Sequence, residues 1–486
     1  MTRIMGLETE YGCLVDRPNE SAERTVHRIK EAVFRINQRG VIDLHPRGYD
    51  EAPGNGGFLL NGGRIYIDMG HLEYATPECL SLADLVAYDR AGDRILQEAI
   101  ETLGIAKKVS LIKNNIDHRT GATFGSHENY LVGREFPFSE EGLGRLIPFL
   151  VTRQIFTGAG RVGAHAVHDD WIFLKEQPIA GVDFQISQRA DHIVNDFYQW
   201  VQFNRAIINT RDEPLADPNR YRRIHLLVGD SNLLEYATAL KFGTTSAVLS
   251  LIEEGAMPAG LALEDPVLDL RQISRDPNRK WIVTLKNGEK VSALEIQSIL
   301  QAQAVRTLLG KDKEIDWVLT EWGRTLERLA ANPLDLVGKI DWITKEWLLT
   351  SFMESERIGW GDPWLASLDL EYHNIDPMKG LVSALEEEGK TVRRTTDAAI
   401  DLAVDSPPRN TRASGRGEVI RSLLSGKNPY MINWSGIYIE GKGHLPMEDP
   451  FKTYRKEIKT SFFESIGLGR LGTKIERSDL GEENLE

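Results

Sequence analysis

The run Asn61-Gly-Gly-Arg-Ile-Tyr-Ile-Asp-Met-Gly-His-Leu-Glu-Tyr-Ala-Thr-Pro-Glu78 decides how the rest of the chain is read. Within it Arg64, Tyr66 and Asp68 alternate with Ile65 and Ile67. Period-two alternation, with β-branched residues on the apolar side, predicts a strand over 58–68. The other face of that strand carries a cation, a phenol and a carboxylate, and charges are costly to bury unless they are paired or metal-bound. Met69-Gly70 then breaks the strand and re-aims the chain, which delivers Glu73 and Glu78. A second strand of this kind opens the sequence at Ile4-Met-Gly-Leu-Glu-Thr-Glu-Tyr11, where a spacing of two puts Glu8 and Glu10 on one face. Carboxylates side by side repel unless a divalent cation sits with them. The expectation is that these two strands are neighbours and together hold metal and nucleotide.

Working outward, the chain has 486 residues and a formal net charge of -14. That length allows a large domain with a smaller one beside it, and ample core. The acidic balance argues against a nucleic-acid partner, which would need clustered Lys and Arg on phosphates. Cys13 and Cys79 lie far apart in sequence, so no disulfide framework is expected. The start reaches Glu8 too soon for a secretory signal, and no apolar run approaches the roughly 18 residues that span a bilayer. A soluble, cytoplasmic protein with no membrane association is expected.

Periodicity places the remaining elements. A strand is predicted over 3–15, and a helix over Ser21–Arg35 capped by Ser21. Residues 37–57 read as a loop ending in Gly54-Asn-Gly-Gly57, a run suited to a hinge. A helix is predicted over Leu82–Leu103, strands over Lys108–Asn114 and Ala122–Val132, and a helix over Leu146–Ile155. Phe156–Val162 reads as a Gly-rich turn, and Ile186–His192 as the lead into a helix. Another helix is expected over Leu233–Glu253, and 281–345 reads as mostly helical with a turn at Lys286-Asn287-Gly288. Asp405-Ser-Pro-Pro-Arg-Asn410 interrupts any helix and marks a boundary between 1–412 and a small C-terminal domain, 413–486. That domain has its own pattern: a helix near 417–425, a strand Ile432–Ile439, a turn at Gly441-Lys-Gly443, a helix over 451–466, and a charged, frayed end over 475–486.

Several side chains in these segments suit cation and phosphate chemistry. Glu8 and Glu10 offer hard oxygen donors, which suit Mg²⁺ or Mn²⁺ when phosphates complete the shell. His127 and His225 lie in strand-like segments beside acids, and an imidazole biases a carboxylate site from Mg²⁺ towards Mn²⁺. Arg211, Arg222 and Arg223 crowd a segment of buried-strand composition, with Arg189 and Arg205 nearby in sequence. Such arginines meet phosphates or a substrate carboxylate bidentately. Asp68 is open to two readings, as a structural partner for Arg64 or as a general base. No Gly-Lys-Ser/Thr phosphate loop and no Gly-x-Gly-x-x-Gly opening a helix is present, so a nucleotide would rest on a sheet floor with metals and arginines.

Taken together, Met5-Gly-Leu-Glu-Thr-Glu-Tyr-Gly12, Asn61–Asp68, Glu73-Tyr-Ala-Thr-Pro-Glu-Cys79, Ser126-His-Glu-Asn-Tyr-Leu131, Ser187-Gln-Arg189, Asn209-Thr-Arg-Asp-Glu-Pro214 and Tyr221-Arg-Arg-Ile-His225 through Gly229-Asp-Ser-Asn232 closely resemble the Pup ligase and depupylase family. The match runs in order along nearly the whole chain. The resemblance implies an α+β fold of the glutamine synthetase type: a large domain with a curved antiparallel sheet cradling ATP and metal, flanked by helices, and a small C-terminal α/β domain. It implies metal contacts at Glu8, Tyr66 and Glu73, with Glu10, His127 and His225 available for further metal. It implies nucleotide contacts at Arg64, Thr76 and Trp434, and Asp68 as catalytic base. The cofactors implied are ATP with Mg²⁺ or Mn²⁺. The implied partners are a Pup-like modifier and its lysine-modified proteins, with a functional link to a bacterial proteasome.

Family members run related chemistry in opposite directions: ligases join the modifier to lysine, and depupylases cleave that bond and deamidate a terminal glutamine. Four residues separate Asp68 from Glu73, as in depupylases, and Glu10-Tyr-Gly12, Ser126 and Thr157-Gly-Ala-Gly-Arg-Val162 also resemble that branch. The short 37–57 loop, Ile340-Asp-Trp-Ile343, Arg394-Thr-Thr-Asp397 and Asp449-Pro-Phe451 resemble the ligase branch. Spacing within the site outweighs distal segments, so the depupylase direction is expected first and the ligase direction second. A small-molecule glutamate–amine ligase and a non-catalytic metal- or nucleotide-binding scaffold are the readings from other classes.

Overall fold

The computed structural model describes residues 3–16, 19–45, 51–117, 122–163, 165–166, 177–178, 181–200 and 205–464. Its centre is a ten-stranded sheet formed by β1 (Met5–Val15), β2 (Gly40–Ile42), β3 (Gly56–Leu59), β4 (Arg64–Asp68), β5 (His71–Ala75), β6 (Val109–Ile112), β7 (Ser126–Gly133), β8 (Asn195–Tyr198), β9 (Ala206–Asn209) and β10 (Tyr221–Leu226). The spatial order is β8-β9-β10-β7-β1-β5-β4-β3-β2, with β6 pairing the far half of β1. All pairs are antiparallel except β8–β9 at one end, which are parallel. The fold is thus α+β with a large sheet, as expected.

Two predicted strands prove to be hairpins. The run 58–68 turns at Asn61-Gly62-Gly63, where Gly62 has φ +83° and the Asn61 side chain accepts from Gly63 N at 2.9 Å. Strands β1 and β4, expected as neighbours, are not hydrogen-bonded to each other, because β5 lies between them. Likewise Ile432–Ile439 is two strands, Tyr430–Asn433 and Gly436–Ile439, with Trp434 in the turn between them. The Gly54–Gly57 run leads into β3 instead of forming a hinge: a Cβ on Gly56 would come within 2.3 Å of Tyr66 Cβ, so glycine permits strand contact there. The lead into a helix at 186–192 gives only a short 3-10 turn, Ala190–His192. The predicted frayed end, 475–486, and the end of the 451–466 helix lie outside the described residues.

Alternation gives the sheet two unlike faces. Met5, Leu7 and Tyr11 of β1, Ile65 and Ile67 of β4, Leu72 and Tyr74 of β5, Tyr130 and Val132 of β7, and Ile224 and Leu226 of β10 all enter the main apolar core. Helices α1 (Ala22–Glu31, capped by Ser21), α2 (Leu82–Thr102) and α3 (Glu235–Glu253) cover that face. Burial of large aliphatic side chains at roughly 1.5–3 kcal/mol each fixes register, because a slip of one residue would exchange the faces. The polar partners are thereby forced onto the opposite face. A second apolar cluster joins Val41, Phe58 and Leu60 to Val419, Ile420, Ile432 and Ile437 of the C-terminal segment. Helix α4 (Ala413–Leu423) and the Trp434 hairpin are held against the β2–β3 end of the sheet in this way. No described helix is long and apolar enough to cross a membrane.

Candidate functional site

The polar face gathers side chains in rows set by strand register. Tyr66, Glu73 and Glu10 are successive cross-strand partners on β4, β5 and β1. Glu8 pairs with Ala75 on one side and His127 on the other, and His225 follows on β10 opposite Asn129. Glu8, Tyr66 and Glu73 therefore share one face, although their strands are scattered in sequence.

The two carboxylates of β1 part company. Glu8 sits with His127 and His225: His127 Nδ1 and His225 Nε2 are each 3.5 Å from Glu8 Oε2, and the two rings lie 5.4 Å apart edge to face. Arg223 Nη1 is 4.0 Å from the other Glu8 oxygen and donates to Asn129 Oδ1 at 3.1 Å. Burial alone would raise the Glu8 carboxyl, but the two imidazoles and the Arg223 charge outweigh it and hold it well below the usual carboxylate range. Burial pushes the His225 imidazole down to about 4, so it is neutral and able to offer a lone pair.

Glu10 joins Asp68 and Glu73, and its Oε2 lies 2.7 Å from His71 Nδ1. Glu73 also accepts from the Tyr66 hydroxyl. Here burial and then the charges of Glu8, Glu10 and Asp68 push the Glu73 carboxyl well above its ordinary range. Asp68 is raised as well, by burial and by Glu10, yet its carboxyl remains at the open rim of the site. Glu10 itself is drawn down against burial by His71, His127 and Arg189.

Both clusters suit a divalent cation. In each, one donor atom from every residue lies within 4.8 Å of the others. His225 Nε2 is buried and makes no hydrogen bond among the described residues. Gly125 keeps space between the clusters: a Cβ there would fall 2.4 Å from His127 Nε2 and 2.6 Å from Glu10 Oε1. The all-oxygen set Glu10–Asp68–Glu73 suits Mg²⁺, and the mixed set Glu8–His127–His225 also accepts Mn²⁺.

Beside Glu8 a pocket opens, lined by Gly6, Thr76, Arg223, Leu215, Arg412 and Trp434. Thr76 directly follows β5, and its hydroxyl accepts from Leu7 N at 3.0 Å. Trp434 reaches the pocket from the C-terminal segment and packs edge-on against Phe58 at 5.0 Å. Arg64 is buried, stacks over the Tyr66 ring at 4.4 Å, and is held by Asp43 at 2.8 Å and by Glu51. The alternative pairing of Arg64 with Asp68 is not made; its partners come from the segment between β2 and β3.

Two predicted nucleotide arginines fall elsewhere. Arg222 alternates onto the face opposite Arg223 and His225, where it pairs with Asp212 and lies 5.1 Å over the Phe138 ring. Arg211 is exposed and paired with Glu213 at 2.7 Å. Arg223 takes the site position instead, with a buried Nε that has no partner among the described residues. The signal was available: Arg223 is two residues from His225, and Arg222 is three. His71, Arg412 and Arg416 are site neighbours that the sequence reasoning did not single out.

The family model described as Pup-ligase protein matches residues 3–438. A Pup–protein ligase of Acidimicrobium ferrooxidans is 37% identical over 94% of this chain and 97% of its own length. A Pup deamidase/depupylase of Mycolicibacterium smegmatis is 35% identical over 94% of this chain and 96% of its own. Among solved structures, the complex of the prokaryotic ubiquitin-like protein Pup with its ligase PafA matches with a TM-score of 0.80 at 34% identity, over 99% of this chain and 96% of that one. The ligase PafA in complex with ADP matches with a TM-score of 0.75 at 34% identity, over 91% and 95%.

Proposed function

The chain belongs to the Pup-ligase family, and from that premise we propose that it is an ATP-dependent ligase joining the C-terminal glutamate of a Pup-like modifier to a lysine of a target protein. The observation that carries this reading is the arrangement on one sheet face: two cation-competent clusters flank Gly125, a pocket lies beyond one, and an accessible carboxylate, Asp68, lies at the rim of the other. The ligase direction is further supported by the 37% identical relative and by both matched structures, which bear ligase names. This reverses the order that site spacing suggested.

In this reading the nucleotide occupies the pocket between Thr76 and Trp434, with Arg223 and Glu8 at its phosphate end. Glu8, Tyr66 and Glu73, with Glu10, His127 and His225, would hold Mg²⁺ or Mn²⁺, which would offset the crowded carboxylate charge and that of the phosphates. Arg64 stacks on and supports Tyr66. The nucleotide, when bound, would supply its γ-phosphoryl group to an oxygen of the modifier's glutamate side chain, with the P–O bond to ADP breaking. Asp68 then takes a proton from the incoming lysine ammonium, the amine forms a C–N bond at the activated carboxyl carbon, the C–O bond to phosphate breaks, and the second nitrogen proton leaves with the phosphate. Trp434 comes from the small C-terminal domain that we take to begin at residue 413, after a larger domain of 1–412. Arg211, one carboxylate removed from Arg223 through Glu213, belongs to the approach to the site.

A depupylase is the second reading, and the β4–β5 hairpin favours it. Asp68 pairs with His71 across a two-residue turn in which Met69 and Gly70 both have positive φ, 45° and 89°. That turn sets the four-residue interval to Glu73 resembling the depupylase branch. One experiment separates the readings. The protein is incubated with ATP, Mg²⁺, a glutamate-ended modifier and a bare target, and in parallel with a preformed conjugate. Appearance of conjugate supports the ligase, its disappearance the depupylase, and ADP formation with free glutamate and amine alone would overturn both.

A further inference from the structure

We propose that Glu78 is a positioning residue for the nucleotide, acting through two arginines at the start of α4, Arg412 and Arg416, that fix the Trp434 wall of the pocket. The inference rests on the nucleotide reading above and adds to it a device that none of the assigned contacts contains.

Glu78 lies two residues beyond Thr76 and is buried, as are Arg412 and Arg416. Arg412 Nε donates to Glu78 Oε1 at 2.6 Å, and Arg412 Nη1 donates to Met447 O at 3.0 Å. Arg416 grips both Glu78 oxygens, Oε1 at 3.2 Å and Oε2 more closely. It also donates from Nε and Nη2 to Gly62 O, at 3.1 and 2.9 Å. Its remaining reach is to the tryptophan: Nη1 donates to Trp434 O at 3.1 Å, and the guanidinium lies 4.7 Å from the Trp434 ring and 5.3 Å from that of Phe58. The Glu78 carbonyl accepts from the Thr411 hydroxyl at 3.0 Å. The two walls of the pocket, Thr76 and Trp434, come from residues far apart in sequence, and this carboxylate joins them through largely buried, charge-assisted bonds.

The arrangement is specific in two respects. A Cβ on Gly62 would lie 2.9 Å from the Ala413 Cβ, so the N-terminal end of α4 rests directly on the Asn61–Gly63 turn, and Arg416 emerges from the next turn of that helix. Arg416 is also the one guanidinium that touches Glu78, the β3–β4 turn and Trp434 together among the described residues. A pair placed only for stability would need no contact with the tryptophan backbone and ring. The two arginine charges outweigh burial and hold the Glu78 carboxyl down at about 2, so the clamp stays charged across the working range of pH.

The test compares wild-type protein with Glu78→Asp, which retracts the carboxylate by one methylene, and Arg416→Lys, which keeps charge but loses the fork. Full-length proteins are assayed for ATP affinity by calorimetry and for conjugate turnover at saturating modifier. Loss of one charge-assisted bond predicts that the KM and Kd for ATP rise by about tenfold or more while kcat changes by less than about threefold. In a Trp434→Ala background, Glu78→Asp should add less than about twofold, since the wall it aligns is gone. Thermal unfolding identifies any variant that fails to fold, and Arg412→Lys then replaces it. Folded variants that bind ATP as tightly as wild type, or a Glu78→Asp effect undiminished in the Trp434→Ala background, would overturn the proposal. A wild-type protein that binds no ATP would instead overturn the nucleotide reading.

Discussion

Glu8 and Glu10 stand two residues apart on one strand, yet their surroundings oppose each other. Around Glu8 the neighbours are two imidazoles and a guanidinium, and its carboxyl is held well down. Around Glu10 they include two further carboxylates: burial, then the charges of Glu8, Glu10 and Asp68, push Glu73 up, and burial, then Glu10, push Asp68 up. The first cluster is balanced without a cation and the second is not. The lesson is that a pair of acids on one strand face need not form one site: cross-strand partners from β7 and β10 claim one acid, and those from β4 and β5 claim the other.

Four changes would break or sharpen that contrast. Asp68→Asn should lower conjugate turnover by about 10³-fold while ATP affinity at saturating Mg²⁺ and thermal stability hold, because Asp68 is at the rim and its proton transfer carries the rate. Retained turnover in single-cycle assays would remove it as base. Glu8→Gln should weaken ATP affinity at limiting Mg²⁺ by at least about tenfold, with partial recovery at high Mg²⁺; calorimetry across a Mg²⁺ series checks this.

The third concerns pH in chelator-treated protein. The folded pKa of His225 is depressed, from 6.5 to about 4, so folding favours its neutral form. That contribution is fully present above about pH 6.5 and is lost as pH falls towards 4, by on the order of 2–3 kcal/mol. Denaturant melts of His225→Gln should show a flatter stability profile across that window than wild type, and an unchanged slope would refute the assignment. The smallest effect is expected from Glu73→Gln, which keeps an acceptor for Tyr66 and removes one repelling charge. Without metal at neutral pH it should stabilise by about 1 kcal/mol, read as a rise of a degree or two in Tm. Glu8→Gln in the same assay should not stabilise. A matching gain there would erase the difference between the clusters.

Much of this site was legible in the sequence because it is written in period two. Arg64, Tyr66 and Asp68, and then Glu8 and Glu10, declare their face by alternation with residues that enter the core. What stayed hidden depends on pairing between distant segments. Nothing local says that β5 inserts between β1 and β4, or that His127 and His225 both turn to Glu8 and leave Glu10 to His71. Asp43 and Glu51, the partners of Arg64, sit in a stretch that read only as a loop. Two further features are local. Asn61-Gly-Gly63 is a turn signal inside the predicted strand, and the parity of Arg222 against His225 excludes it from the polar face. Trp434 was expected at the nucleotide through resemblance, whereas the arginines that seat it depend on contacts over more than three hundred residues of chain, from Glu78 to Arg412 and Arg416.

The same segment that seats Trp434 also closes the sheet. Strand β2 ends the strand order, and the Tyr430 hydroxyl donates to Ile42 O there at 2.8 Å while Val41 and Phe58 share the apolar cluster with α4. A molecule clipped near residue 412 would lose its pocket wall and, in the same event, expose an unpaired ladder of amides and carbonyls beside bare aliphatic surface. Damage at this point should therefore yield insoluble, self-associating fragments and not a lingering half-active enzyme, and limited proteolysis followed by light scattering would register both losses at once.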